Sequence, residues 1–331
     1  MTDTERERRS GDVHHLRDSL PHSVAVPGEP DVLEASGYES GLDIEARSHW
    51  AYARKRFFRH RLAMGSLVVL VIILLAGFFA ERVAPYAFDD IDLNNLAAPP
   101  TTEDKHYFGT DQLGRDYFSR VLFGIQTSAR VAFIVAFLST VIGVIVGALA
   151  GYFGGWLDNL LMRVTDLFLT LPGLAVLLVA SAYLGQGSPY RVAVILALLF
   201  WTVLARIVRG TFLSLREKEY IEAAKAAGGS DLRIMLKHIL PNSLGPIIVN
   251  ATLTVAAAIL VEAALSFLGF GIQPPTPALG KLISDGQSEM LTAWWLVTFP
   301  GLVIVLIVLC VNFIGDGLRD ALDPTQRRIR A

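Results

Sequence analysis

The chain carries a single cysteine, Cys310, shows no marked excess of charge of one sign, and contains no nucleotide-binding or metal-binding signature. One cysteine forms no internal disulfide, and its apolar surroundings supply no second metal ligand, so Cys310 reads as a small residue facing lipid or another helix. Lys and Arg number 29 against 31 Asp and Glu, a formal net charge of -2, so no global field argues for nucleic acid as a partner. The phosphate-cradling pattern G-x-x-x-x-G-K-[ST] is missing; its nearest fragment, Gly280-Lys281, is followed by Leu282. H-E-x-x-H and G-x-S-x-G are missing as well, which argues against hydrolysis by the chain itself. No cleavable signal peptide is expected. The first apolar block begins near Leu62, behind a charged segment, and reads as an uncleaved anchor.

What the chain does have is apolar residue in long blocks: 53% hydrophobic, with a mean hydropathy of +0.47. Six spans are expected, at about 62–80, 129–150, 160–183, 191–209, 244–268 and 293–315. Residues 1–50 are polar and mixed in charge, and are expected to form a disordered cytosolic tail in which His14-His15 is merely solvated. Residues 51–126 hold the first span and a long loop, 127–316 the core with the other spans, and 317–331 a second cytosolic tail. With the N-terminus inside, the inner flanks carry 17 Lys and Arg and the outer loops six, so both termini are expected in the cytosol. The long loop, rich in Asp89, Asp90, Asp92, Glu103 and Asp104, then lies outside as a loop or small cap.

Ser139, Gly143, Gly147 and Gly151 recur at four-residue spacing and line one face of the second span. Such a face admits another helix at close range, although glycine is also tolerated against lipid. Pro172 and Pro300 interrupt the hydrogen-bond ladders of the third and sixth spans and permit kinks. Three ionisable groups fall near membrane depth: Asp166, Glu262 and Asp316. Asp166 and Asp316 read as hydrated at an interface. Glu262 is poised between lining a pathway and bracing a helix contact.

Between the fourth and fifth spans lies a polar hairpin, residues 215–241. Its first half reads as a helix from Leu215 to Ala227 with Tyr220, Ala223, Ala224 and Ala227 on one small face and Lys218 paired to Glu222. Gly228-Gly229 ends that helix. Ser230 is expected to cap a second helix whose apolar stripe is Leu232, Met235, Leu236 and Ile239, and Pro241 to stop it. Physics alone allows two uses for the hairpin: docking to a cytosolic partner, or resting on lipid headgroups.

The run Glu222-Ala223-Ala224, three residues, Gly228, then Ile239-Leu240-Pro241 resembles the EAA loop of binding-protein-dependent ABC importer permeases, with His238 where a hydrophobic residue is usual. Three further stretches are similar to the C-type subunits of the dipeptide/oligopeptide/nickel permease family: FGTDQLGRDYFSRVLFG (108–124), ALSFLGFGIQPPTPALG (264–280) and NFIGDGLRDALDP (312–324). The likeness covers most of the chain from about residue 50 onward.

The resemblance implies an all-α, six-span inner-membrane protein of the type I ABC importer permease fold. It also implies a non-catalytic subunit that forms half of a translocation path. Tyr220, Glu222, Ala223, Ala224, Gly228, Gly229, Leu240 and Pro241 would couple it to cytosolic ATPase subunits, which bind the ATP and Mg themselves. The implied partners are a second homologous permease, two ATPase chains, an extracytoplasmic substrate-binding protein and membrane lipid, with no nucleic acid. Peptides are the expected cargo, with nickel chelates or glutathione-like solutes as alternatives. A passive channel or membrane scaffold is the rival of another class, separated by whether a nucleotide hydrolase co-purifies. A membrane-embedded enzyme is disfavoured, because the acids in the spans are isolated from one another.

Overall fold

A computed structural model describes residues 49–184 and 187–322, with side chains over 53–183 and 187–322. The expected N-terminal tail, His14-His15 and the basic residues Arg327, Arg328 and Arg330 lie outside the described residues. The described chain is helical: α1 (His49–Arg59), α2 (Arg61–Phe78), α3 (Ala80–Val83), α4 (Tyr117–Phe153), α5 (Gly155–Thr170), α6 (Gly173–Leu184), α7 (Pro189–Arg216), α8 (Glu219–Ala226), α9 (Asp231–Ile234), α10 (Leu240–Phe267), α11 (Leu279–Gly286) and α12 (Trp295–Leu322). A π-helical turn, Met235–Ile239, joins α9 to α10 without a break.

Five helical stretches among the described residues are long and apolar enough to cross a membrane: α2, α4, α7, α9 through α10, and α12. The third expected span is different. It is a broken pair, α5 and α6, bent by 87°. The break falls at Leu171-Pro172, where Leu171 turns to the extended conformation that a following proline imposes (φ -77°, ψ 137°). α4, α7, α9 through α10 and α12 each overrun at least one expected end, whereas α2 stops two residues short of its own. α4 has 37 residues rather than those of 129–150, because Asp116 caps a helix that starts inside the long loop. At 1.5 Å per residue it reaches about 55 Å, well past the hydrocarbon core.

The four-residue repeat of small side chains does face a helix, α7. A Cβ added at Gly143, Gly147 or Gly151 would lie 2.9, 2.4 or 2.6 Å from the carbonyl oxygens of Trp201, Ala205 and Arg209 respectively. Both series climb by four residues together, so α4 and α7 run parallel with their backbones nearly touching. α2 and α12 meet in a similar way, at Ala63 and Gly317. Cys310 is free and buried in α12, facing helices rather than lipid.

At one end of the bundle, residues 84–116 fold into a cap. Buried His106 joins Asp116 at 2.9 Å, and the Tyr86 ring stacks on it at 4.8 Å. Hydrogen bonds from the Asn95 side chain and the Asn94 N–H hold the Asp92 carboxyl below its usual range. Gly114 takes φ +77° and lies so close to the Asp92 carbonyl that a Cβ would sit 2.1 Å from it. The cap is pinned to the bundle where the Trp295 Nε1–H donates to the Thr110 carbonyl (3.2 Å) and Phe108 stacks on Phe299 (4.0 Å).

Pro300 does not end α12, although it removes the N–H that would bond the Leu296 carbonyl. The Tyr117 hydroxyl takes that place, donating to the Leu296 oxygen at 2.6 Å and lying 3.0 Å from that of Leu282. One phenol therefore ties α4, α11 and α12 together at the cap end.

The glycine contacts set a sharp expectation. Gly147→Ala drives a methyl into the Ala205 carbonyl and should destabilise the fold by about 1–3 kcal/mol. Gly210→Ala, with nothing within 4 Å, should be neutral or stabilising by about 0.5–1 kcal/mol. Thermal unfolding of the two variants in mild detergent checks the contrast.

Candidate functional site

At the opposite end of the bundle the chain leaves α7 at Arg216, turns through Glu217-Lys218, and forms the short helix α8. The expected helix from Leu215 is thus two helices, since α7 itself continues to Arg216. α8 is anchored by one residue that sequence reasoning passed over. Ile221 is fully buried, in an apolar cluster with Tyr152, Phe212, Ile234 and Ile239. Its neighbours point the other way: Tyr220 is 45% exposed, Glu222 and Ala223 are exposed, and Ala224 is half-buried against the cluster. An isolated isoleucine in a polar run was the available signal, overshadowed by the alanines.

Gly228-Gly229 closes α8 as expected. Gly228 takes φ +80° and its N–H donates to the Lys225 carbonyl (2.9 Å), while the Gly229 N–H reaches back to that of Ala224 (3.0 Å). These are the paired bonds of a Schellman ending. A Cβ at Gly229 would sit 2.8 Å from the Ala224 oxygen, so both glycines are required.

Four details of the expected hairpin are corrected. Lys218 and Glu222 form no ion pair; Lys218 instead holds the N-cap position of α8, and its carbonyl accepts from the Glu222 N–H (3.2 Å). Ser230 occupies the N-cap position of α9 without a side-chain hydrogen bond. The buried stripe is Ile234, Met235 and Ile239, with Leu232 and Leu236 left 66% and 53% exposed. Pro241 stops nothing, because the π-helical turn just before it widens the coil where the proline ring would strike the preceding turn. Leu240 and Pro241 therefore belong to the start of α10 rather than to the knob that displays Glu222.

The knob is bound to the spans by polar contacts. The Tyr152 hydroxyl donates to Asp231 Oδ1 (2.6 Å), Arg216 Nη1 donates to the Tyr152 carbonyl (2.8 Å), and Lys225 Nζ lies 5.6 Å from the Tyr152 ring centroid. Close by, Arg209 grips Asp158 of α5 through Nε and Nη2. Asp166, expected to be hydrated at an interface, is about half exposed and also pairs with Arg206 across α5 and α7. Asp316 is exposed.

Glu262 is far from the knob, toward the cap end, and it braces a helix contact. Fully buried, it accepts from Ser266 Oγ at 2.7 Å and from Ser128 Oγ at 2.8 Å. Those hydroxyls in turn accept the N–H groups of Ile272 (3.2 Å) and Leu279 (3.3 Å). One carboxylate thus organises α4, α10 and the chain entering α11. An apolar cavity of about 490 Å³ opens between the broken pair α5–α6, α7 and α10, with Thr202, Asn250 and Thr254 as its polar lining residues.

Five spans and a broken sixth, a cap at one end and an exposed knob at the other define a polytopic membrane protein. Residues 143–328 match the family described as binding-protein-dependent transport system inner membrane component, and residues 48–100 match the N-terminal TM domain of oligopeptide transport permease C. The chain is 44% identical over 290 residues to the oligopeptide transport system permease protein OppC of Escherichia coli (strain K12), covering 88% of this chain and 96% of that protein. It is 44% identical over 277 residues to the OppC of Mycobacterium tuberculosis (strain ATCC 25618 / H37Rv), covering 83% and 94%. It is 41% identical over 282 residues to the dipeptide transport system permease protein DppC of Alkalihalophilus pseudofirmus, covering 85% and 92%. Among solved structures, an inward-facing MetNI methionine ABC transporter chain shares the fold, with a TM-score of 0.50 at 21% identity over 62% of this chain and 96% of that one. This chain belongs to the binding-protein-dependent transport inner-membrane family.

The bracing role of Glu262 is testable. Glu262→Leu leaves two buried serine hydroxyls without their acceptor and should cost about 1–3 kcal/mol. Glu262→Gln keeps an acceptor oxygen and should lose less. Melting temperatures in detergent would rank the two.

Proposed function

We propose that this chain is the permease subunit of an ATP-driven peptide importer and forms half of its translocation path. A second homologous permease supplies the other half, two cytosolic ATPase chains bind ATP and Mg, and an extracytoplasmic binding protein delivers the solute. The observation that carries the coupling is α8: a short helix fixed from beneath by Ile221, closed by two glycines, with Glu222 and Ala223 turned outward. A small rigid knob of that kind suits a socket on a partner. Peptide is favoured as cargo by the names of relatives that match along nearly their whole length.

In this arrangement the knob end and both termini face the cytosol, in keeping with the excess of basic residues there, and the 84–116 cap faces outward. The 87° break at Leu171-Pro172 is a place where the path can open and close without unravelling a continuous helix. Swinging such an equilibrium from mostly inward to mostly outward takes about 5.5 kcal/mol of differential binding, which nucleotide binding at the partner supplies through the knob.

Glu222→Arg should abolish uptake of a labelled oligopeptide while the protein still reaches the membrane in normal amount. Uptake at the wild-type rate would remove the coupling role. A cysteine placed at Ala223 should react with a membrane-impermeant thiol reagent only from the cytosolic side, and labelling from outside would invert the topology.

A further inference from the structure

We propose that Tyr152 is the joint through which movement of the knob reaches the paired spans α4 and α7, a positioning role that rests on the coupling reading above. Tyr152 lies in the last turn of α4, is 5% exposed, and follows directly on Gly151. Its three polar partners sit on three consecutive pieces of chain. Arg216 is the last residue of α7, Lys225 lies in the last turn of α8, and Asp231 opens α9. One side chain and its carbonyl therefore hold the segment that carries the knob at its entrance, its middle and its exit.

Two kinds of contact connect the knob to the spans. The apolar seat of Ile221 is non-directional and tolerates sliding. The Tyr152–Asp231 hydrogen bond is directional, short and charge-assisted, so it resists rotation and sliding. Immediately behind Tyr152, the Gly143, Gly147 and Gly151 contacts lock α4 to the carbonyls of α7, so a displacement delivered at Tyr152 moves the two helices as one body. Removing the phenolic hydroxyl leaves the knob folded and seated, but lets it slip on α4 when it is pushed.

The test is the ratio of ATP hydrolysed to labelled trialanine imported, measured for the full transporter in phosphatidylethanolamine–phosphatidylglycerol liposomes with its binding protein. Tyr152→Phe should assemble normally and hydrolyse ATP, with the ratio raised about tenfold, the factor expected from loss of one charge-assisted hydrogen bond. Asp231→Ala should behave alike, and the double variant should be no worse than either single one. Asp231→Asn, whose amide oxygen still accepts the hydroxyl, should stay within about twofold of wild type. An unchanged ratio in Tyr152→Phe overturns the proposal. Equal losses of hydrolysis and import also overturn it, since they mark a merely structural role. A wild-type chain that assembles with no ATPase overturns the coupling reading itself, and this proposal with it.

Discussion

Between α4 and α7 three glycines rest against three carbonyl groups, and the knob end of the molecule hangs from that contact. Lipid tails are as apolar as leucine, so in a bilayer two helices gain little by hiding apolar surface from their surroundings. Association has to come from close packing, and close packing requires that no side chain intervene. Gly143, Gly147 and Gly151 meet the condition at Trp201, Ala205 and Arg209, with one register repeated along both helices. The last of these contacts fixes where Tyr152 and Arg216 stand. Asp158 reaches the same place from α5 through its bidentate hold on Arg209.

The cap end solves a different problem: backbone polar groups at membrane depth must find partners within the protein. Pro300 strips one carbonyl of its donor, and Tyr117 supplies another. Beyond α10, Ser266 and Ser128 accept the amides of Ile272 and Leu279, and Glu262 orients both hydroxyls. The stretches 108–124 and 264–280, which carry the family likeness, are thus largely structural. Gly109, Asp116 and Tyr117 belong to the first, and Ser266, Gly271 and Gly280 to the second.

Much of this was legible in the residues. Long apolar blocks located the spans, and the four-residue spacing of small residues marked a close-contact face on α4, without naming α7 as its partner. Gly228-Gly229 marked the end of α8. Some failures arise because tertiary contacts overrode local pattern, and others because a local break or widened turn leaves no distinct mark in the sequence. The run Leu232, Met235, Leu236, Ile239 has a plausible helical period, yet the neighbouring helices bury Ile234 instead of Leu232 and Leu236. Proline at 241 was expected to end a helix because local sequence does not disclose a π turn. Pro172 on sequence alone suggests a kink, whereas it divides a span into two helices. Asp166 and Glu262 stand out in the sequence as acids near membrane depth, but their partners Arg206 and Ser128 lie far off in sequence and no spacing rule connects them.

The widened turn at Met235–Ile239 has a mechanical corollary. A π turn amounts to one residue inserted into an otherwise regular coil. Each residue of an α-helix advances the azimuth by about 100°, so the inserted residue decides which compass bearing the knob faces relative to the span it continues into. Cutting that single residue out would let the coil close up to ordinary pitch and swing the display of Glu222 by more than a quarter revolution. The bearing of the knob is therefore discrete, set by whole residues rather than by gradual adjustment, and any socket that receives it must be built to that one heading.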